Sequence, residues 1–212
     1  MDIILVRVKE SVTWAELSGF TGCLDSTRKA AINRKANDND KINALLSRLL
    51  LMSEIRRRTG ILERKIKLTL GSFGKPYLKN SELQFSLSHT RGAVCAAFCE
   101  GGEDSEIGVD VERRDRRVNE LMYKRVLCEE ERLHATSDAD FIRFWVKKEA
   151  FLKRLGVGIT RDLRGVNSLE LPDTDVIDCG ELFVGASGKG AHEATVKELP
   201  LNELLDRFLM HN

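Results

Sequence analysis

Three short apolar stretches follow one another between Leu83 and Glu112, and turn signals separate them: "LQFSLSHT", "GAVCAAFCE" and "IGVDVE". Runs this short, bounded by glycine and charge, read as strands. The middle run is apolar almost throughout, so it reads as a buried strand, and "GGEDSE" after it is a turn. Helical patterns flank the trio. "ALLSRLLLMSEIRRRTG" carries an apolar stripe at Leu45, Leu46, Leu49, Leu50 and Met52 and stops at Gly60, while "DADFIRFWVKKEAFLKRLG" stops at Gly156, with Asp138 or Asp140 available to cap its start. "VNELMYKRVLCEEERLHA" also reads as helical. Asp2 to Val8 and "KIKLTL" read as strands. Later come alternating fragments around "NSLEL" and "ELFVG", a flexible-looking "GASGKGAHEA" with no clear final strand after it, and a short terminal helix "LNELLDRFLM". Helices mixed with short, turn-linked strands predict an α+β fold. Each half, 1–102 and 103–212, holds helix plus strands, which points to a pseudo-duplicated architecture forming one compact unit.

With 212 residues, the chain can bury a sizeable core. No apolar run approaches the ~20 residues that span a membrane. The opening "MDIILVRVKE" lacks the basic start and small-residue cleavage site of a secretion signal, so a cytoplasmic protein with no membrane partner is expected. The five cysteines form no C-x-x-C. Cys95 and Cys99, separated by apolar residues, read as strand packing, and free thiols in a reducing compartment are the simplest account. Net charge is only +1 but unevenly spread. Through Arg91 there are 17 basic and 9 acidic residues, leaving 17 and 24 beyond it. A basic first half is suited to a polyanionic ligand.

The residues with chemistry lie on the third strand and the second helix. In "IGVDVE", Ile107, Val109 and Val111 point one way, and Gly108, Asp110 and Glu112 the other. Asp110 and Glu112 then stand about 7 Å apart on one face, able to share a hard cation such as Mg²⁺; acids on a half-exposed strand facing water are the plainer alternative. Trp145, Glu149 and Lys153 share a helical face. Glu149 offers a third carboxylate and Lys153 a cation for phosphate, with Lys147 and Lys148 widening the positive surface. Trp145 reads as core more than as a ligand platform. Ser88 and His89, at a strand end, could bind phosphate. "GSFGKP" has the wrong glycine spacing for a P-loop, and no G-x-S-x-G appears.

Four stretches in this order, "GKPYL", "FSLSHT", "IGVDVE" and "WVKKEAFLKRLG", resemble the 4′-phosphopantetheinyl transferases of the Sfp-type branch, over about residues 71–158. The resemblance implies two similar α+β halves with the site in the cleft between them. It implies Mg²⁺-dependent transfer of a phosphopantetheine arm from coenzyme A to a serine of an apo acyl or peptidyl carrier protein, giving 3′,5′-ADP, with Mn²⁺ as an alternative ion. On matching positions it makes Asp110, Glu112 and Glu149 metal ligands and gives Lys153 a phosphate and proton-transfer role. Ser88 and His89 become contacts to the coenzyme's phosphates, and Lys75 and Pro76 lie near its adenosine. Arg28 or Lys29 stands where a cation for the 3′-phosphate is expected. Asn43 departs from the pattern, taking a position where the family carries arginine, with Lys41 nearby. A monomer is implied, because the duplication already supplies both halves of the site. Two other readings are a non-catalytic coenzyme A-binding relative and a module binding nucleic acid or another phosphate-rich ligand through "RRRTGILERKIK". That basic run lacks interleaved aromatics, so no nucleic-acid partner is expected.

Overall fold

Alternation along the strands decides how the layers stack. The computed structural model describes residues 1–102, 105–158 and 162–209. In β1 (Asp2–Arg7) and β5 (Ala93–Cys99), Ile4, Val6, Val94, Ala96 and Phe98 face one core, and Ile3, Leu5, Ala93, Cys95 and Ala97 face another. The first core lies under the helix α3 (Asp38–Thr59), whose Leu45, Leu46, Leu49, Leu50 and Ile55 are fully buried. Each such side chain contributes about 1.5–3 kcal/mol relative to an exposed one. Asn37 caps α3 by accepting from the Asp40 amide, and Gly60 ends it with φ 72°, a left-handed conformation suited to glycine. The second core lies between two sheets, where β6 (Gly108–Arg113) and β8 (Leu182–Ser187) supply Val109, Val111, Leu182, Val184 and Ala186.

The larger sheet has the order β4-β5-β1-β9, with β4 spanning Gln84–Thr90 and β9 Thr195–Glu198. Its pairings are antiparallel except β1 with β9, which run parallel. The smaller sheet is antiparallel, in the order β6-β8-β7, with β7 at Thr174–Asp178. The hairpin β2 (Leu68–Leu70) and β3 (Pro76–Leu78) stands apart from both. The helices α1 (Trp14–Leu17) and α2 (Ser26–Asn33) precede α3. The helices α4 (Glu120–Val126), α5 (Glu129–His134) and α6 (Asp138–Leu155) follow β6, and α7 (Leu201–Leu209) follows β9.

The α+β fold in two halves is as expected, with local departures. The alternating "KIKLTL" is a strand only over Leu68–Leu70, because Glu63–Lys65 makes a 3-10 turn first. The long helical stretch after β6 breaks at Leu127, which is extended. α6 is capped by Ser137, whose hydroxyl accepts from the Asp140 amide, so neither expected aspartate is the cap. There is a final strand after "GASGKGAHEA". β9 lies beyond the 102/103 boundary yet completes the first sheet, and α7 places Leu204 and Phe208 in the core under α3. The expected turn "GGEDSE" lies partly outside the described residues, as does Met210 at the end of the expected terminal helix.

Candidate active site

Glycine sets the approach of α6 to the smaller sheet. An added Cβ on Gly108 would lie 1.9 Å from the carbonyl oxygen of Ala150, and one on Gly185 2.2 Å from that of Val146. The backbone of α6 therefore rests directly on β6 and β8. Side chains two residues apart on β6 share a face, so Asp110 follows Gly108 on the side covered by α6, where Glu149 and Lys153 project.

Lys153 Nζ donates to Asp110 Oδ1 at 2.7 Å. Ser88 Oγ donates to the same oxygen at 2.7 Å and accepts from the Val111 amide at 3.2 Å. Ser86 Oγ likewise accepts from the Val109 amide, so two β4 hydroxyls satisfy the open edge of β6 and join the halves at the site. Glu149 is 5% exposed, and its Oε1 is buried without a hydrogen-bond partner. Burial, with the charge of Asp110 added and that of Lys153 opposing, pushes its carboxyl up to about 7. Glu112 is turned elsewhere: Oε1 accepts from the Thr90 hydroxyl and the Arg113 amide, and Oε2 pairs with Arg116. Among the described residues no three His, Cys, Asp or Glu side chains gather closely enough to hold a metal ion. Two of the three expected ligands, Asp110 and Glu149, do face one another electrostatically. Two buried carboxylates, one with an orphaned oxygen and with Lys153 beside them, are a hard-oxygen donor set that fits a divalent cation such as Mg²⁺.

The other expected residues divide. Ser88 belongs to the site. His89 points from the opposite face of β4 and is exposed; the protein packed around its ring and the charges of Lys153 and Lys35 hold its imidazole below the ordinary range. Lys75 donates to the carbonyls of Ile107 (3.2 Å) and Arg154 (2.9 Å), pinning the β2–β3 hairpin to the end of α6, and Pro76 opens β3 opposite Leu70. Arg28, in the first turn of α2, has Arg48 as its charged neighbour; the cation set near His89 is Lys35, between α2 and α3. Asn43 is buried and donates to the carbonyl of Thr90. Trp145 is half-buried, stacked at 6.2 Å on Phe141 with Arg116 over its ring.

Lys148 corrects the expectation of a positive surface. It is fully buried, pairs with Glu131 at 2.5 Å, and donates to the carbonyls of Val126 and Leu163. The triple arginine is also engaged: Arg56 pairs with Glu63, Arg57 with Glu54, and Arg58 with Asp2 and Glu54. That leaves it poorly placed to track a nucleic-acid backbone.

A family model described as "4'-phosphopantetheinyl transferase, N-terminal" matches residues 11–100, and one described as "4'-phosphopantetheinyl transferase superfamily" matches residues 106–196. The chain belongs to the 4′-phosphopantetheinyl transferase superfamily. It is 24% identical to "4'-phosphopantetheinyl transferase Sfp" of Bacillus subtilis, over 82% of this chain and 83% of that one, which sets it with the Sfp-type transferases. It is 26% identical to the "L-aminoadipate-semialdehyde dehydrogenase-phosphopantetheinyl transferase" of Saccharomyces cerevisiae, over 94% of this chain and 74% of that one. A Candida glabrata protein of the same description is 30% identical over 63% of this chain, and the match spans 55% of that relative's length.

In this transferase, sequence reasoning passed over Thr90, Ser86, Arg116 and Lys35. Thr90 and Ser86 sit two residues either side of Ser88 on the same strand face, so alternation alone could have found them. Arg116 and Lys35 carried no local signal, because a charged residue in a polar loop is indistinguishable from a solvated one until its neighbours are known.

Proposed function

We propose that this transferase moves the 4′-phosphopantetheine arm of coenzyme A to a serine hydroxyl of an apo acyl or peptidyl carrier protein, leaving 3′,5′-ADP, with Mg²⁺ held by Asp110 and Glu149. The observation that carries the reading is the orphaned, buried oxygen of Glu149 beside Asp110, with Lys153 one helical turn on. Glu112 joins as a third ligand once it leaves Arg116. A bound Mg²⁺ would supply charge neutralisation at the pyrophosphate and at the departing 3′,5′-ADP.

The serine oxygen attacks the phosphorus next to the pantetheine arm. A phosphorus–oxygen bond forms there, and the bond to 3′,5′-ADP breaks. Glu149, directly or through an ordered water, would take the serine proton. Lys153 offers its ammonium to the phosphate oxygens on which charge develops. Ser88 orients Asp110 through the hydroxyl that also fixes β6. Lys35 supplies positive charge beside the His89 imidazole, at the rim where the coenzyme's phosphates would enter.

Intact-protein mass spectrometry tests this directly. The protein is mixed with coenzyme A, Mg²⁺ and several apo carrier proteins, with and without EDTA. One phosphopantetheine arm gained on a carrier, and lost with EDTA, is the expected result. No gain on any carrier, together with no calorimetric binding of coenzyme A, would overturn it.

A further inference from the structure

A cleft of about 710 Å³ opens on the first half and shares no residue with the site above. Its size lies within the range of small-molecule pockets. Arg48, Met52 and Arg56, spaced four apart on α3, form one wall. Leu24, Leu62, Ile66 and Phe208 add apolar lining, and Cys23 lines the cleft as well. Arg56 is neutralised by Glu63 at 2.9 Å, and Asp25 is occupied capping α2 through the Arg28 amide at 2.8 Å. Arg64 is exposed. Arg48 is different. Its Nε is buried with no hydrogen-bond partner, and no carboxylate among the described residues lies within ion-pair distance of it. Burial and the charge of Arg28 weigh against its positive form, and Asp25 offsets them only in part.

A half-buried guanidinium with no ion-pair partner among the described residues, beside an apolar wall, suits an amphipathic anion. We infer that this cleft binds a medium-chain carboxylate, its head on Arg48 and its chain along Met52, Leu62, Ile66 and Phe208. The fork of the guanidinium matches a carboxylate bidentately. Glu63 and Asp25 at the same cleft disfavour a doubly charged head such as a phosphate. The apolar wall rewards an alkyl chain that a bare anion lacks.

Calorimetry with decanoate, 1-decanol and acetate separates head from chain, and alkylation of Cys23 by N-ethylmaleimide, followed by peptide mass spectrometry, reports the place. Decanoate is expected to bind at least about tenfold more tightly than either partial mimic, the worth of one charge-assisted contact. It should slow alkylation of Cys23 and leave that of Cys179 unchanged. Arg48→Met should weaken decanoate about tenfold and spare 1-decanol. Leu62→Asp, at an exposed position, should weaken both and keeps the test open if Arg48→Met does not fold. The inference is overturned by equal binding of decanoate and 1-decanol, by decanoate binding that leaves Cys23 unprotected, by undiminished decanoate affinity in Leu62→Asp, or by no binding at millimolar decanoate.

Discussion

At the scale of single residues, the site is a problem in charge. Glu149 sits in a place that penalises its ionised form, next to an acid that does the same. The sign of the consequence follows from linkage. An acid whose folded value is raised from 4.5 to about 7 contributes stability that is present below about 4.5 and lost as pH climbs through about 7. Metal-free protein should therefore lose up to about 3 kcal/mol from this group between pH 5 and 8, and Glu149→Gln should lack that slope; thermal melts in EDTA at the two pH values decide. With Mg²⁺ present, Glu149→Gln should cut transfer by about 100- to 10,000-fold, as expected for losing a proton acceptor. Lys153→Ala should cost about 100-fold or more. Single-turnover kinetics on an apo carrier, with circular dichroism to confirm folding, measures both, and near wild-type rates would remove these residues from the mechanism. Glu149, Lys153 and Asp110 were all legible beforehand, because helical and strand periods place them on defined faces. The engagement of Glu112 with Arg116 and Thr90 was not, since loop and strand neighbours are set only by folding.

Elements position these residues, and α6 is the element that matters most. Two contacts seat it: the bare backbone faces at Gly108 and Gly185, and the buried pair of Lys148 with Glu131. Gly108→Ala would drive a methyl group into the backbone of α6, so a loss of about 1–3 kcal/mol or more is expected, with transfer falling as Glu149 is displaced. Burial works to raise the carboxyl of Glu131, but the hydrogen bonds from Lys148, Ser168 and Cys128 prevail and hold it below its ordinary value. A depressed acid contributes stability that is present above its unfolded value and lost as pH falls through the folded one. Glu131→Gln should thus cost about 3–5 kcal/mol at pH 7, and the gap from wild type should close below about pH 4. Denaturant melts across that range check it. In the sequence, "VKKEA" shows two adjacent lysines of equal promise. One is half-exposed and the other fully buried, because helical rotation turns Lys148 toward α4 and α5 while Glu149 turns toward β6.

For the whole molecule, the chain's last elements hold its first half together. β9 lies parallel to β1, and α7 inserts Leu204 and Phe208 into the core beneath α3. Leu204→Ala should cost about 2–5 kcal/mol, and the loss should appear in hydrogen exchange of β1 and α3 as well as of α7. Loss of protection confined to α7 would contradict this. What the sequence by itself determined was local: strand and helix identities, the faces carrying Asp110, Glu149 and Lys153, the capping glycines, and through the order of four motifs the superfamily. These follow from periodicity and backbone preference, which act over a few residues. What only the tertiary structure decided was which partners those faces meet. Ser88 serves Asp110, Lys75 serves two carbonyls, Lys148 is internal, Arg48 makes no ion pair among the described residues, and β9 crosses back to the first sheet. Such pairings join residues tens to nearly two hundred positions apart, and they are selected by how whole layers bury their apolar faces.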